Sequence, residues 1–408
     1  MKVFSLSTLM SRSVGKVQGL PGGLRNLGAR AGGAAPLLRG IDWFLFFAAT
    51  TIALLGLLTM RSFSDGNIFF ERQSIWIGVA VTLFFFACIP EYRFLRRTQV
   101  VAVLYGVVIA LLLLVLLLGE VTKGAQSRFD LGLFAIQPSN LASLVLVIVL
   151  AKYFARRHVE IAHIRHILIS GAYTLVLCAL IFFQPDFGSA LIIALVWLGM
   201  VLVAGISWKH LTALIAVSAI IGAGLWTYGL ADYQKQRILT FVHPLTDIQG
   251  SGYNAYQSTI AVGSGEVLGK GIGYGTQSKL RFLPEYQSDF IFAAYAEEWG
   301  FGGVLLLFGL YGIVIVRVLS IAARGSDAFE MLFGVGVAVL FLAHFIIHIA
   351  MNMGLLPITG TTTPFMSYGG SHLITEYLAL GILIGIRRHG RLSAQAEDKT
   401  ESLGGVPL

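Results

Sequence analysis

The amino-acid sequence predicts an all-α polytopic membrane protein, a ten-helix transmembrane bundle with one long extracytoplasmic loop between helices 7 and 8. Three observations predict it. The 408 residues are 56% hydrophobic and only 12% charged, whereas a soluble domain carries about 25% charged residues. The apolar residues gather into charge-poor runs near the ~20 residues that cross a bilayer. Lys and Arg are dense in every second connection between those runs and sparse in the others.

The elements follow in order. Residues 1–39 hold six Lys or Arg, many glycines and no acid. They read as a disordered basic cytoplasmic tail, because the first long apolar run is a full span and not the short core of a signal peptide. The spans fall at 43–60, 73–90, 98–119, 131–151, 167–185, 187–208, 211–231, 299–316, 331–352 and about 371–386. One membrane domain, 40–390, therefore contains them all, and 391–408 is a second cytoplasmic tail. With the N-terminus inside, twenty of the 29 Lys and Arg lie in inner segments. The positive-inside rule then puts both termini in the cytoplasm of a cell whose inner membrane the chain crosses repeatedly. The net charge of +8 follows from that rule and from anionic membrane lipids; it does not point to nucleic acid. Cys88 and Cys178 both fall in apolar runs without a metal or redox motif and read as core residues.

The polar chemistry lies on the outer side, where ATP and NAD are absent. It occupies three outer loops, 120–138, about 232–289 and 353–371. The long loop has aromatic anchors between polar groups, and long ordered loops are usually functional. The third is rich in Gly, Pro, Thr and Ser, and such backbone enters a membrane only if buried in protein or lining a wet cavity. It is expected to be re-entrant.

The densest cluster is 269–300, with Lys270, Lys279, Arg281, Glu285, Asp289, Glu297 and Glu298. Ionisable groups at a membrane boundary are costly, and function is the default reason that they persist. Asp289 stands where loop meets apolar helix, a position suited to a general base. The glycine run 265–275 lacks the flanking features of a nucleotide loop. Its amides can form an anion nest beside Lys270, Lys279 and Arg281, or simply turn a hairpin. His344 and His348 have metal-ligand spacing, but their Phe and Ile neighbours favour hydrogen-bonded bundle histidines. His372 with Glu376 reads as a structural pair, Asp186 as a helix cap, and Glu297 and Glu298 as structural groups, one of them capping or pairing with a buried partner.

Two blocks carry a family resemblance. One runs from Arg237-Ile238 through Gly269-Lys270-Gly271, Gly275-Thr276-Gln277-Ser278 and Phe282-Leu283-Pro284-Glu285 to Asp289-Phe290-Ile291-Phe292 and Glu297-Glu298. The other is Gly354-Leu-Leu-Pro357 with Ser367-Tyr368-Gly369-Gly370-Ser371. With Gln184-Pro185-Asp186-Phe187-Gly188 and Gln137-Pro138-Ser139, they resemble the shape, elongation, division and sporulation family of RodA/FtsW type, in wording closer to RodA. The resemblance spans roughly 40–390. It implies a peptidoglycan glycosyltransferase that polymerises lipid II on the outer face of the membrane for cell elongation and shape, with a class B penicillin-binding protein as transpeptidase partner. Asp289 matches the family's aspartate, the proposed general base, and Glu285 its glutamate.

The chain departs from the family pattern at Arg128, where a tryptophan is usual, at Asn140 and Ser143, where a Glu and a Lys are usual, and at His348, where an asparagine is usual. The reaction needs a base for the attacking hydroxyl and positive charge for the leaving pyrophosphate. Lys270, Lys279, Arg281, Arg237 and Arg128 are the candidate cations, with Glu285, Gln277 and the segment Ser367, Tyr368, Gly369, Gly370 and Ser371 as further substrate contacts. A divalent cation, magnesium or manganese, could share the load, though no compact carboxylate cluster specifies one, and no other cofactor is implied. Two other readings are a lipid II flippase, which would usually show inverted repeats, and a non-catalytic scaffold for the penicillin-binding protein.

Overall fold

The computed structural model describes residues 40–63, 68–119, 127–130, 135–156, 163–230, 232–242, 251–280, 282–283 and 285–404. Residues 42–408 form one compact unit. Its helices are α1 (Trp43–Arg61), α2 (Ile68–Ala87), α3 (Thr98–Leu118), α4 (Pro138–Ala155), α5 (Ile164–Phe183), α6 (Phe187–Ala204) and α7 (Trp208–Gly224). After these come α8 (Asp232–Val242), α9 (Ser251–Ser264), α10 (Thr276–Lys279), α11 (Ile291–Ala322), α12 (Ala328–Asn352) and α13 (Gly370–Gly404). A two-residue antiparallel pair, Phe129–Asp130 with Ala135–Ile136, precedes α4.

Among the described residues, nine helices are long and apolar enough to cross a membrane: α1 to α7, α11 and α12. The tenth expected span lies in the first half of α13, where His372 and Glu376 dilute the apolar run. The spans are apolar on nearly all sides, as helices facing both lipid and protein must be. Core position decides which are buried. α4 is enclosed along most of its length, whereas α7 buries no residue. α12 packs along α4, α6 and α11; α11 packs along α1; and α13 packs along α2.

Short polar devices set the helix starts. Asp42 caps α1 by accepting from Leu45 N at 3.2 Å, and it also receives Arg317 Nε from α11 at 3.1 Å and Arg387 Nη1 from α13 at 3.3 Å. Three helices are thus pinned by one buried carboxylate. Asp186 caps α6 and Asp327 caps α12, each satisfying first-turn amides that have no partner within the helix.

The segment expected to be a long outer loop is largely helical where described. It contains α8, α9 and α10, and α9 packs on α11 and α12. α11 is broken at Gly300, whose φ is +63°. A Cβ there would sit 2.2 Å from Gly269 N, so only glycine lets the 265–269 turn press against the helix. Cys88 is buried, Cys178 half-buried, and both are free thiols.

Candidate active site

The site is built where the segment between α10 and α11 runs into α11. Glu285 takes φ +52°, and its carbonyl accepts from the amides of Ser288, Asp289 and Phe290 at 3.1, 3.0 and 3.3 Å. This knot ends the segment and delivers Asp289 one residue before Phe290, the N-cap of α11. The partial positive charge of a helix start favours a carboxylate at that position. Asn352, at the last turn of α12, donates from Nδ2 to the Asp289 carbonyl at 2.9 Å.

The segment 353–369, expected to be re-entrant, folds back among the helices. Thr361 and residues 363 to 367 are buried, and their backbone is answered by side chains. His344 and His348 donate through Nδ1–H to Thr362 O (3.2 Å) and Thr361 O (2.7 Å). Phe365 N donates to Glu376 Oε2 at 2.7 Å, and Gln73 Nε2 donates to Ser367 O at 3.1 Å. Both histidines thus serve as bundle hydrogen-bonding groups. The segment also fastens the knot: Ser367 Oγ donates to Ser288 O at 2.8 Å, and Tyr368 N donates to Gln287 O at 2.9 Å. Gly360, at φ +71°, lies beside the acid, and a Cβ there would meet Asp289 Oδ2 at 3.5 Å.

These segments enclose a cavity of about 580 Å³. Asp289, Glu285, Arg128, Tyr368, Gly369, Gly370 and Ser371 line it together. So do Gln137, from the Gln137-Pro138-Ser139 motif, and Arg72, Trp76 and Asn254, which no motif in the sequence singled out. The N-terminal ends of α4, α6, α11 and α13 face it, and α2 contributes Arg72 and Trp76 from its second and third turns. Four positive helix ends and two arginines, Arg72 and Arg128, therefore surround one space, an arrangement that favours an anion. Arg72 carries a signal in hindsight: it interrupts the polar start of an apolar run, Glu71-Arg72-Gln73.

Other expected contacts lie elsewhere. Lys270 pairs with Glu297 at 2.6 Å, and Glu297 also accepts from Thr276 N at 2.9 Å and Gln277 N at 3.1 Å. Glu298 accepts from Gly273 N at 3.1 Å. The glycine-rich turn is thus a hairpin whose amides and lysine are taken by the protein's own buried carboxylates. Lys279 donates to Gly273 O at 3.3 Å and is exposed. Lys270, Lys279 and Gln277 therefore stand outside the cavity, and Ser367 is buried behind it as a brace. Arg237 belongs to α8, with its side chain outside the described residues, and Arg281 lies outside them altogether.

Asp186 lines the cavity but is occupied. It accepts from Ser189 N at 3.1 Å and from Gln137 Nε2 at 2.9 Å, as a cap should. His372 Nε2 lies 2.7 Å from Glu376 Oε1. Asn140 lines the cavity, while Ser143 donates within α4 to Ser139 O at 3.1 Å. Among the described residues no three His, Cys, Asp or Glu side chains converge.

Residues 40–392 match the family model described as "Cell cycle protein", that of FtsW, RodA and SpoVE. The chain belongs to this family. Within the family, it is 37% identical over 294 residues to the peptidoglycan glycosyltransferase MrdB of Escherichia coli K12, covering 72% of this chain and 79% of the relative. It is 32% identical over 337 residues to stage V sporulation protein E of Bacillus subtilis, covering 81% and 89%. Among family structures, one from work on polymerization and crosslinking by a peptidoglycan synthase complex superposes with a TM-score of 0.74 at 30% identity, covering 86% of this chain and 98% of the other. The rod shape determining protein RodA of Thermus thermophilus superposes with a TM-score of 0.64 at 29% identity, covering 85% and 96%.

Proposed function

We propose that this chain is a peptidoglycan glycosyltransferase that polymerises lipid II in the cavity bounded by Asp289. One observation carries the reading. An acid at a helix start shares a large polar cavity with two arginines and four helix N-termini. The reaction needs the same pairing: a base for a sugar hydroxyl, and positive potential for a leaving lipid pyrophosphate.

The step is a single displacement with inversion at the anomeric carbon. The hydroxyl oxygen forms the new glycosidic bond as its proton passes to the Asp289 carboxylate. The anomeric carbon–oxygen bond to pyrophosphate breaks, and the electron pair leaves with the phosphate. Arg72 and Arg128 hold that charge, Arg128 through the planar fork that suits phosphate oxygens. Glu285 acts through the backbone knot that places Asp289. No covalent enzyme intermediate is required, so Glu285 need not serve as a nucleophile.

In this reading the cavity opens on the extracytoplasmic side and both termini are cytoplasmic, because charge bias requires it. A class B penicillin-binding protein supplies crosslinking. The decisive experiment is purified full-length chain with lipid II, with and without its transpeptidase partner, assayed for glycan strands. Glycan formation lost in Asp289→Asn supports the reading. Absence of polymer from a folded, partnered wild-type chain would leave the scaffold role instead.

A further inference from the structure

A second cavity, of about 290 Å³, lies between α3, α4 and α5 at the opposite end of α4 from the candidate active site. Its walls mix cations, phenols and aliphatic groups: Lys152, Arg156, Tyr105, Tyr153, Tyr173 and Val101. Lys152 is only 7% exposed, and its Nζ is shut from solvent with no hydrogen-bond partner among the described residues. An unanswered ammonium in a membrane bundle is costly, and it marks a site unless a partner is supplied. A lysine near a helix end usually snorkels its amine into water; this one does not. Arg156 follows one turn later on the same face and is exposed. Two cations with the same sign repel, so neither answers the other.

The phenols are already arranged. Tyr105 donates to Tyr173 O at 2.7 Å, with the two rings 5.7 Å apart. Tyr153 Oη lies 2.9 Å from His166 Nδ1. These bonds hold the aromatic wall upright beside the cations. Above Tyr105, α3 turns apolar residues outward along its length.

We propose that this cavity binds the phosphate of an anionic phospholipid, with Lys152 and Arg156 on the phosphate and the acyl chains lying against α3 and α5. Basic pockets between transmembrane helices hold such headgroups. The charge distribution puts this end of α4 at the cytoplasmic leaflet; the proposal takes that orientation from the function argued above, but the binding test does not depend on it.

The test is native mass spectrometry of the full-length chain released from nanodiscs holding equal phosphatidylglycerol and phosphatidylcholine. Wild type is expected to retain phosphatidylglycerol in preference. The double variant Lys152→Met with Arg156→Gln should lose that preference by roughly tenfold or more. Lys209→Gln, a cation at the start of α7, should keep it. If the double variant misfolds, Arg156→Gln alone carries the test, since its side chain is exposed and packs little. Equal retention by wild type and variants would overturn the proposal. So would displacement of the lipid by millimolar inorganic phosphate, which would make the cavity a site for free anions. Glycan synthesis measured in parallel separates this site from the first: lost lipid preference with retained polymerisation is a failure of neither reading.

Discussion

Asn352 Nδ2 bridges two carbonyls, donating to Asp289 O at 2.9 Å and to His348 O at 2.8 Å. The last turn of α12 is thereby tied to the residue proposed as the base. The tie fixes the backbone of Asp289 and leaves its carboxylate facing the cavity.

Asp289→Asn should reduce polymerisation by at least about 10²-fold, the usual contribution of a positioned base. The amide matches the acid in shape, so thermal unfolding in detergent should stay within a few degrees of wild type. Near-normal glycan synthesis by this variant would remove Asp289 from the mechanism.

Asn352→Leu should slow turnover by about tenfold or more through misplacement of the base, while the KM for lipid II changes little. The split between kcat and KM separates this from loss of a substrate contact. Asn352→Gln, with the same amide on a longer arm, should recover part of the rate.

Arg128→Ala should weaken lipid II use more than Arg128→Lys, because a lysine keeps the charge and loses only the fork. The alanine variant should also show less sensitivity to salt. Arg72→Ala should behave in the same way. If both alanine variants match wild type, the leaving group is stabilised elsewhere.

Lys270→Ala should lower stability and spare the substrate. It leaves Glu297, which is fully buried, without its cation, while the Thr276 and Gln277 donors remain. A buried group that loses one partner costs about 1–3 kcal/mol, visible as a lower unfolding temperature. The KM for lipid II should be unchanged. A raised KM at unchanged stability would return Lys270 to the substrate site.

A reporter fused near residue 250 should read extracytoplasmic, and reporters near 158 or 322 should read cytoplasmic. Swapped readouts would turn the cavity away from the side where glycan is assembled.

Much of the fold was legible because a bilayer imposes a one-dimensional rule. A helix must be about 20 residues long and apolar, and its flanking charges sort by side; the spans and the α-class follow without knowledge of any contact. Local caps were legible for a similar reason. Asp186 before Phe187-Gly188 needs only its own first turn to act, and it does so at Ser189 N. The knot at Asp289 was half legible: a lone acid at a loop–helix junction is visible in sequence, but the hold of Asn352, 63 residues away, is not.

The positive side of the site was decided only by tertiary structure. Lys270, Lys279 and Gln277 are near Asp289 along the chain, yet Glu297 and Glu298 claim that glycine turn from the next helix. Arg72 and Arg128 are distant in sequence, yet share the cavity with Asp289. Length, apolarity and charge bias act locally, so the polytopic helical bundle and an acid at a loop–helix junction were legible in the chain alone. Which cations face that acid was decided by the packing of four helix starts and one flank of α2 around one space. A charge goes to whichever buried partner lies within a few ångströms, and distance along the chain does not set that distance.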